Sequence, residues 1–183
     1  MEISLKKLAA RAKIKSPDLL TRSVGRLLYG EIRKSMEIMA DEEVLVVDFG
    51  GIQVIDSSFI DEFIVKLILN PDSSGRRYYL KIRNISEIGQ MNIQSVFDSY
   101  AEFDGKKIVV MSEDICLNNN FFIGHLDPAE TDIINYIRIN RSAGAGDIAS
   151  LTGVSRERSE DLLMTLHRLG IIRQNGEDRF LAL

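Results

Sequence analysis

Apolar and polar positions change their rhythm twice along this chain. Residues 44–48 (VLVVD) form a short β-branched run too continuous for a half-exposed strand, and the pattern predicts a buried strand. Residues 78–83 (YYLKIR) and 107–111 (KIVVM) read the same way. Between and before them the period lengthens to three and four. Over 20–39, Val24, Leu27, Leu28, Ile32 and Met36 share one helical face. Over 58–69, Phe59, Phe63 and Leu67 run beside Ile60, Ile64 and Ile68, so this helix should be buried on a wide side. A third helix is predicted over 86–100. Strands alternating with helices imply an α/β domain built on a mostly parallel or mixed sheet with packed helices.

After about residue 125 the pattern becomes almost wholly helical. Asp127 followed by Pro128, with Glu130 in reach of a capping box, is a helix start, and Ile133, Ile134 and Ile137 give that helix one apolar face. Residues 147–153 read as a short helix ended by Gly153. Ser155 can cap a longer helix whose Leu162, Leu163, Leu166 and Leu169 lie on one side, and Gly170 stops it. Asn175-Gly176 then marks a hairpin turn between two short strands. Helix, short helix, helix and hairpin predict a small winged helix-turn-helix domain over 126–183, after a first domain over 1–125. The segment 118–126 connects them.

Composition narrows the function. No run approaches the roughly 20 apolar residues of a membrane-spanning helix, since Asp61, Glu62 and Lys66 interrupt the best stretch, 59–69. The start, MEISLKKLAARAK, lacks the apolar core of a secretory signal, so a cytoplasmic protein without membrane contact is expected. One cysteine, Cys116, and two histidines, His125 and His167, leave little for a disulfide or metal cluster, and no cofactor is expected. The net charge of -4 leans towards a protein partner or small ligand over nucleic acid, whose phosphates call for clustered Lys and Arg.

The segment 44–63, VLVVDFGGIQVIDSSFIDEF, carries a resemblance. A strand ending in Asp, a short apolar step and Asp-Ser-Ser opening a helix are similar to the STAS domain of anti-anti-sigma factors. Ser58-Phe59 followed by Asp61-Glu62, with Gly25-Arg26 on the preceding helix, resembles more closely the STAS-like domain family of uncharacterised bacterial proteins. The resemblance covers roughly residues 1–125 and implies a STAS-like mixed sheet with packed helices. It also implies a non-enzymatic, partner-binding switch in bacterial signalling or transcription control. By the same resemblance Ser57 is the phosphoacceptor, Asp56, Ser58, Phe59, Asp61 and Glu62 form the partner-binding region, and the partner is a histidine-kinase-like ATPase. Anti-anti-sigma proteins carry Gly and Leu where Phe59 and Ile60 stand.

The chemistry suits an anion: a helix N-terminus offers free N–H groups and a favourable dipole, and a phosphoryl group adds about -1.5 to -2 charges. Beside Asp56, Asp61 and Glu62, that charge is expected to repel an acidic partner. A second reading stands next to it: Asp-Ser-Ser before an apolar run is a helix cap, with Ser57 or Ser58 accepting from the first turn and Asp61 or Glu62 closing a capping box.

Residues 147–183 resemble the winged helices of bacterial regulators. If that domain reads DNA, Ser155, Arg156 and Arg158 would meet the major groove, and Arg173 and Arg179 the phosphates. Glu157, Glu160 and Asp161 on the same helix favour protein docking instead. The alternative function is thus a DNA-binding regulator whose first domain senses or dimerises. Gly50-Gly51 is expected to mark a turn, Arg76-Arg77 beside Ser73-Ser74-Gly75 a solvated loop, and Cys116 a packed side chain. Neither histidine has a catalytic partner at a telling spacing, and no enzyme is expected.

Overall fold

The computed structural model describes residues 1–14, 18–70, 75–117, 119–176 and 178–183. The chain divides into two compact units, Met1–Gly124 and His125–Leu183.

The first unit is a mixed α/β domain on one five-stranded sheet, ordered β1 (Glu2–Ser4), β2 (Glu43–Asp48), β3 (Tyr78–Arg83), β4 (Val109–Asp114), β5 (Asn119–Gly124). The first four strands run parallel, and β5 returns antiparallel to β4. Helices α1 (Leu5–Arg11) and α2 (Arg22–Met36) lie between β1 and β2, and α5 (Glu87–Asp104) lies between β3 and β4. The β2-to-β3 crossover is one continuous helix in three parts: α3 (Ser57–Ile60), a π-helical segment (Asp61–Val65) and α4 (Lys66–Leu69).

Because strand side chains alternate, one face of the sheet collects Leu45, Val47, Leu80, Ile82, Val110 and Ile123. These share a single apolar cluster with Leu8, Leu28, Ile32, Phe59, Phe63, Ile93 and Phe97 from the helices. The wide apolar side expected for the 58–69 helix is therefore what seats it on the sheet. Phe59 and Phe63 stack at 5.2 Å between ring centroids.

Three elements differ from expectation. Residues 119–124, read as a connecting segment, are the edge strand β5: Val110, Met111 and Ser112 pair with Ile123, Phe122 and Phe121, and the half-buried Phe121 packs against the first unit's apolar core. The short β1 and α1 were not anticipated, because three strand residues and two helical turns are too brief for a periodic signal. The helix expected over 20–39 begins only after Thr21. That residue holds φ 78° and ψ 148°, a backbone conformation strained for a β-branched side chain.

In the second unit α6 (Pro128–Asn140) starts with a complete capping box between Asp127 and Glu130. Next come β6 (Ser142–Ala143), α7 (Ala145–Thr152), α8 (Arg156–Arg168), β7 (Ile172–Gln174) and β8 (Phe180–Ala182), the strands ordered β6-β8-β7 and antiparallel. Gly153 at φ 73° ends α7, and Ser155 caps α8. Ile133, Ile137, Ile148, Leu163, Leu166, Ile172 and Phe180 are all buried. No helix among the described residues is long and apolar enough to cross a membrane.

Candidate functional site

The helix start at Ser57 is positioned by two neighbours. Leu19 forms a parallel bridge with Ile55, its N–H donating to the Val54 carbonyl at 2.9 Å. On the other flank, the Asn92 amide donates to the Ile55 carbonyl at 2.8 Å and the Ser86 hydroxyl to that of Gln53 at 3.0 Å. The approach to α3 is thus clamped between the start of α2 and the start of α5.

Asp56 is the cap of this helix. Its Oδ1 accepts from the Phe59 N–H at 2.7 Å, and its Oδ2 accepts from the Thr21 N–H at 3.0 Å. The strained Thr21 backbone thereby gains a charge-assisted bond. This corrects one expectation: Asp56, and neither Ser57 nor Ser58, does the capping. Ser57 is exposed and Ser58 half-buried. No hydrogen bond of the Ser57 hydroxyl is found among the described residues, so this hydroxyl at the first helical position faces solvent.

Phe59 and Glu62 depart furthest from the partner-binding role. Phe59 has no exposed surface and belongs to the core. Glu62 is 3% exposed and ringed by cations. Arg22 reaches it at 2.9 Å and Arg26 at 3.2 Å, and Lys66 pairs with it one turn along the same helix. Asp61 is half-buried, accepting from Arg22 at 2.8 Å and from the Tyr100 hydroxyl. Instead of closing a capping box, the two carboxylates lock α2 and α5 onto the π-helical segment. The three cations also offset the acidic field expected around Ser57.

The Lys66 ammonium, followed by Arg26 and Arg22, outweighs the burial that would raise the Glu62 carboxyl, and holds it down at about 2. The Asp61 carboxylate, helped by burial, pushes the Tyr100 phenol up to about 12. The tight seam needs Gly25: a Cβ there would stand 2.8 Å from the Glu62 Cβ and 3.2 Å from the Phe59 carbonyl oxygen.

The segments that hold the loop before α3 carry exposed apolar side chains. Leu20, Ile88 and Met91 are 39%, 56% and 70% exposed, each on a segment that bonds to the loop before α3. In sequence, Ile88 and Met91 blend into an ordinary helical stripe. The one available signal was that they lie off the Gly89–Ile93–Phe97 face.

In the second unit Ser155, Arg156 and Arg158 are exposed at the start of α8, and Arg173 is exposed on β7. The three arginines form no ion pair among the described residues. The Ser155 hydroxyl accepts from the Arg158 N–H at 3.2 Å, capping the helix. Arg179 is exposed but already engaged, donating to Asp147 at 2.9 Å and to the Ser142 hydroxyl at 2.8 Å. A cavity of about 250 Å³ lies among α7, α8 and the hairpin. It sets Asp147, Glu160 and Asp178 against Arg156 and Arg179, an acidic balance that does not suit phosphate.

The remaining candidates are structural. Gly50 donates to Asp48 Oδ1 at 2.9 Å and Gly51 takes φ 81°, the expected turn. Arg76 is not solvated as expected but donates to the Met39 carbonyl at 2.7 Å, while Ser73 and Ser74 lie outside the described residues. Cys116 is exposed rather than packed. His167 is buried, with a ring nitrogen 3.3 Å from the Ile172 carbonyl and Phe180 edge-on at 6.0 Å. Among the described residues no three His, Cys, Asp or Glu side chains converge as metal ligands. No protein-family model and no curated protein matches this chain.

Proposed function

We propose that the chain is a non-enzymatic regulatory protein, a STAS-like domain followed by a winged helix, that binds a histidine-kinase-like ATPase through the face around Ser57 and is switched by phosphorylation of that serine. The observation that carries this reading is the exposed Ser57 hydroxyl, unbonded among the described residues, at a helix start whose capping duty Asp56 already performs. The serine is thus surplus to folding. The N–H groups of Ser57 and Ser58 and the nearby Arg22 suit a phosphoryl group, while Leu20, Ile88 and Met91 supply apolar surface for a partner. A phosphorylated Ser57 would place about two negative charges amid that surface and desolvate poorly against the partner.

The test is affinity capture from the source cells with the wild-type chain, Ser57→Ala and Ser57→Asp as baits. A histidine-kinase-like ATPase should come down with the first two, be lost with the third, and transfer phosphate from ATP to Ser57 in vitro. If all three baits recover the same proteins and no phosphate reaches Ser57, the serine is only a surface residue. A second reading, a DNA-binding regulator, rests on Arg156, Arg158 and Arg173, exposed and without an ion pair among the described residues.

A further inference from the structure

A second surface, apart from the Ser57 face, lies at the free edge of the sheet. Strand β1 pairs with β2 on one side only, and among the described residues no strand covers its other side. The Val46 N–H donates to the Met1 carbonyl at 2.8 Å, which fixes the register. In a parallel ladder the alternate residues turn their backbone groups outward, so Glu2 presents its N–H and C=O to the open side. Such an edge is a template for another strand.

Beside this edge runs a cleft of about 320 Å³, lined by Glu2, Ile3, Ser4, Lys7, Arg11 and Ser35 among others. Its charged lining is two cations against one carboxylate. Lys7 and Arg11 are exposed and make no ion pair among the described residues, whereas Glu2 pairs with Arg83 at 2.8 Å, a cation it shares with Glu113. The Ser35 hydroxyl, half-buried on α2, also has no hydrogen bond among the described residues. Lys7 and Arg11 stand one helical turn apart, a rise of about 6 Å. Alternate side chains of an extended strand repeat at about 6.6–6.8 Å, so two carboxylates at positions i and i+2 of an added strand match the two cations.

We infer that this edge binds an extended acidic peptide segment of a partner protein by strand addition, the β1 backbone giving affinity and Lys7 and Arg11 selecting acidic residues at alternate positions. A second copy of this chain fits less well, because edge-to-edge pairing would bring Lys7 and Arg11 towards their own counterparts. Single-stranded nucleic acid fits less well too, because no aromatic ring lines the cleft for bases to stack on.

The experiment is fluorescence anisotropy with the full chain and a short labelled peptide alternating Glu and Val. The wild type should bind it. Lys7→Glu with Arg11→Glu, two exposed changes whose folding circular dichroism can verify, should weaken binding by about tenfold or more. A fully N-methylated version of the same peptide, which keeps every carboxylate but cannot complete a ladder, should not bind the wild type. Equal affinity for the two peptides would eliminate strand addition, and unchanged affinity of the double variant would eliminate the cationic selection. Failure of the wild type to bind the Glu-Val peptide, or displacement of that peptide by a single-stranded oligonucleotide, would also overturn the assignment.

Discussion

Glu62 shows what a single side chain can be made to do by its surroundings. It sits in a helix directly before two apolar residues, Phe63 and Ile64, and is buried with them. A carboxylate in that position stays ionised only because Lys66, Arg26 and Arg22 converge on it. Its folded pKa, about 2, lies below the roughly 4.3 of an unfolded Glu. A depressed carboxyl stabilises the fold above its unfolded pKa and loses that contribution as pH falls through the folded value. Glu62→Gln should therefore lower the urea midpoint at pH 7, and the gap to wild type should close as pH is taken from about 4.5 down towards 2. Urea titrations of both proteins across that range, followed by circular dichroism, read the effect. A gap independent of pH would show that the loss is one of packing alone.

At the scale of elements, the decisive contact is the seam between α2 and the Ser57 helix. Gly25 and Gly30 lie on the same helix and look equivalent in sequence. In the fold, a Cβ at Gly25 meets the Glu62 Cβ at 2.8 Å and the Phe59 backbone, whereas one at Gly30 meets nothing within 4 Å. Replacing an exposed helical glycine with alanine gains up to about 1 kcal/mol, while overpacking costs about 1–3 kcal/mol. Gly30→Ala should raise the melting temperature, and Gly25→Ala should lower stability by about 1–2 kcal/mol; thermal unfolding of the pair decides. Gly25→Ala should also disturb Arg22 and Arg26, which leave the same helix towards Glu62. The π-helical segment belongs to this argument as well: π-bulges are rare and gather at functional sites, and this one carries both Asp61 and Glu62.

For the whole molecule, charge separates the two functional readings. Residues 126–183 hold seven arginines and no lysine against nine Asp and Glu, a net of -2. With Arg179 bound to Asp147, fewer cations remain to release counterions from DNA. At physiological salt the full chain should show no measurable non-specific binding to duplex DNA in an anisotropy titration. If binding does emerge at low salt, Arg156→Ala with Arg158→Ala should abolish it. Tight, salt-resistant duplex binding would reverse the order of the two readings.

Local chemistry written in the sequence carried through wherever the interaction spans a few residues. The apolar periods of α2, of the 58–69 helix and of α8, the Asp127–Glu130 capping box and the Gly153 and Gly170 stops depend on neighbours three or four positions away. So do the turn at Gly50-Gly51 and the hairpin around Asn175-Gly176. The alternation of strands and helices likewise announced an α/β domain. What the sequence could not assign was the division of labour among Asp56, Ser57, Ser58, Asp61 and Glu62, five polar residues within seven positions, any of which can cap a helix. Thr21, 35 residues upstream, engages Asp56; Arg22 and Arg26 claim Glu62; and Tyr100, on α5, takes Asp61. These partners are distant in sequence, and only the packing of α2 and α5 against one face of the sheet brings them together. That packing buries Glu62 and Phe59 and leaves Ser57 exposed. It equally decided the fate of residues 119–124, since an edge strand with so weak an alternation is specified by the β4 edge waiting to be paired.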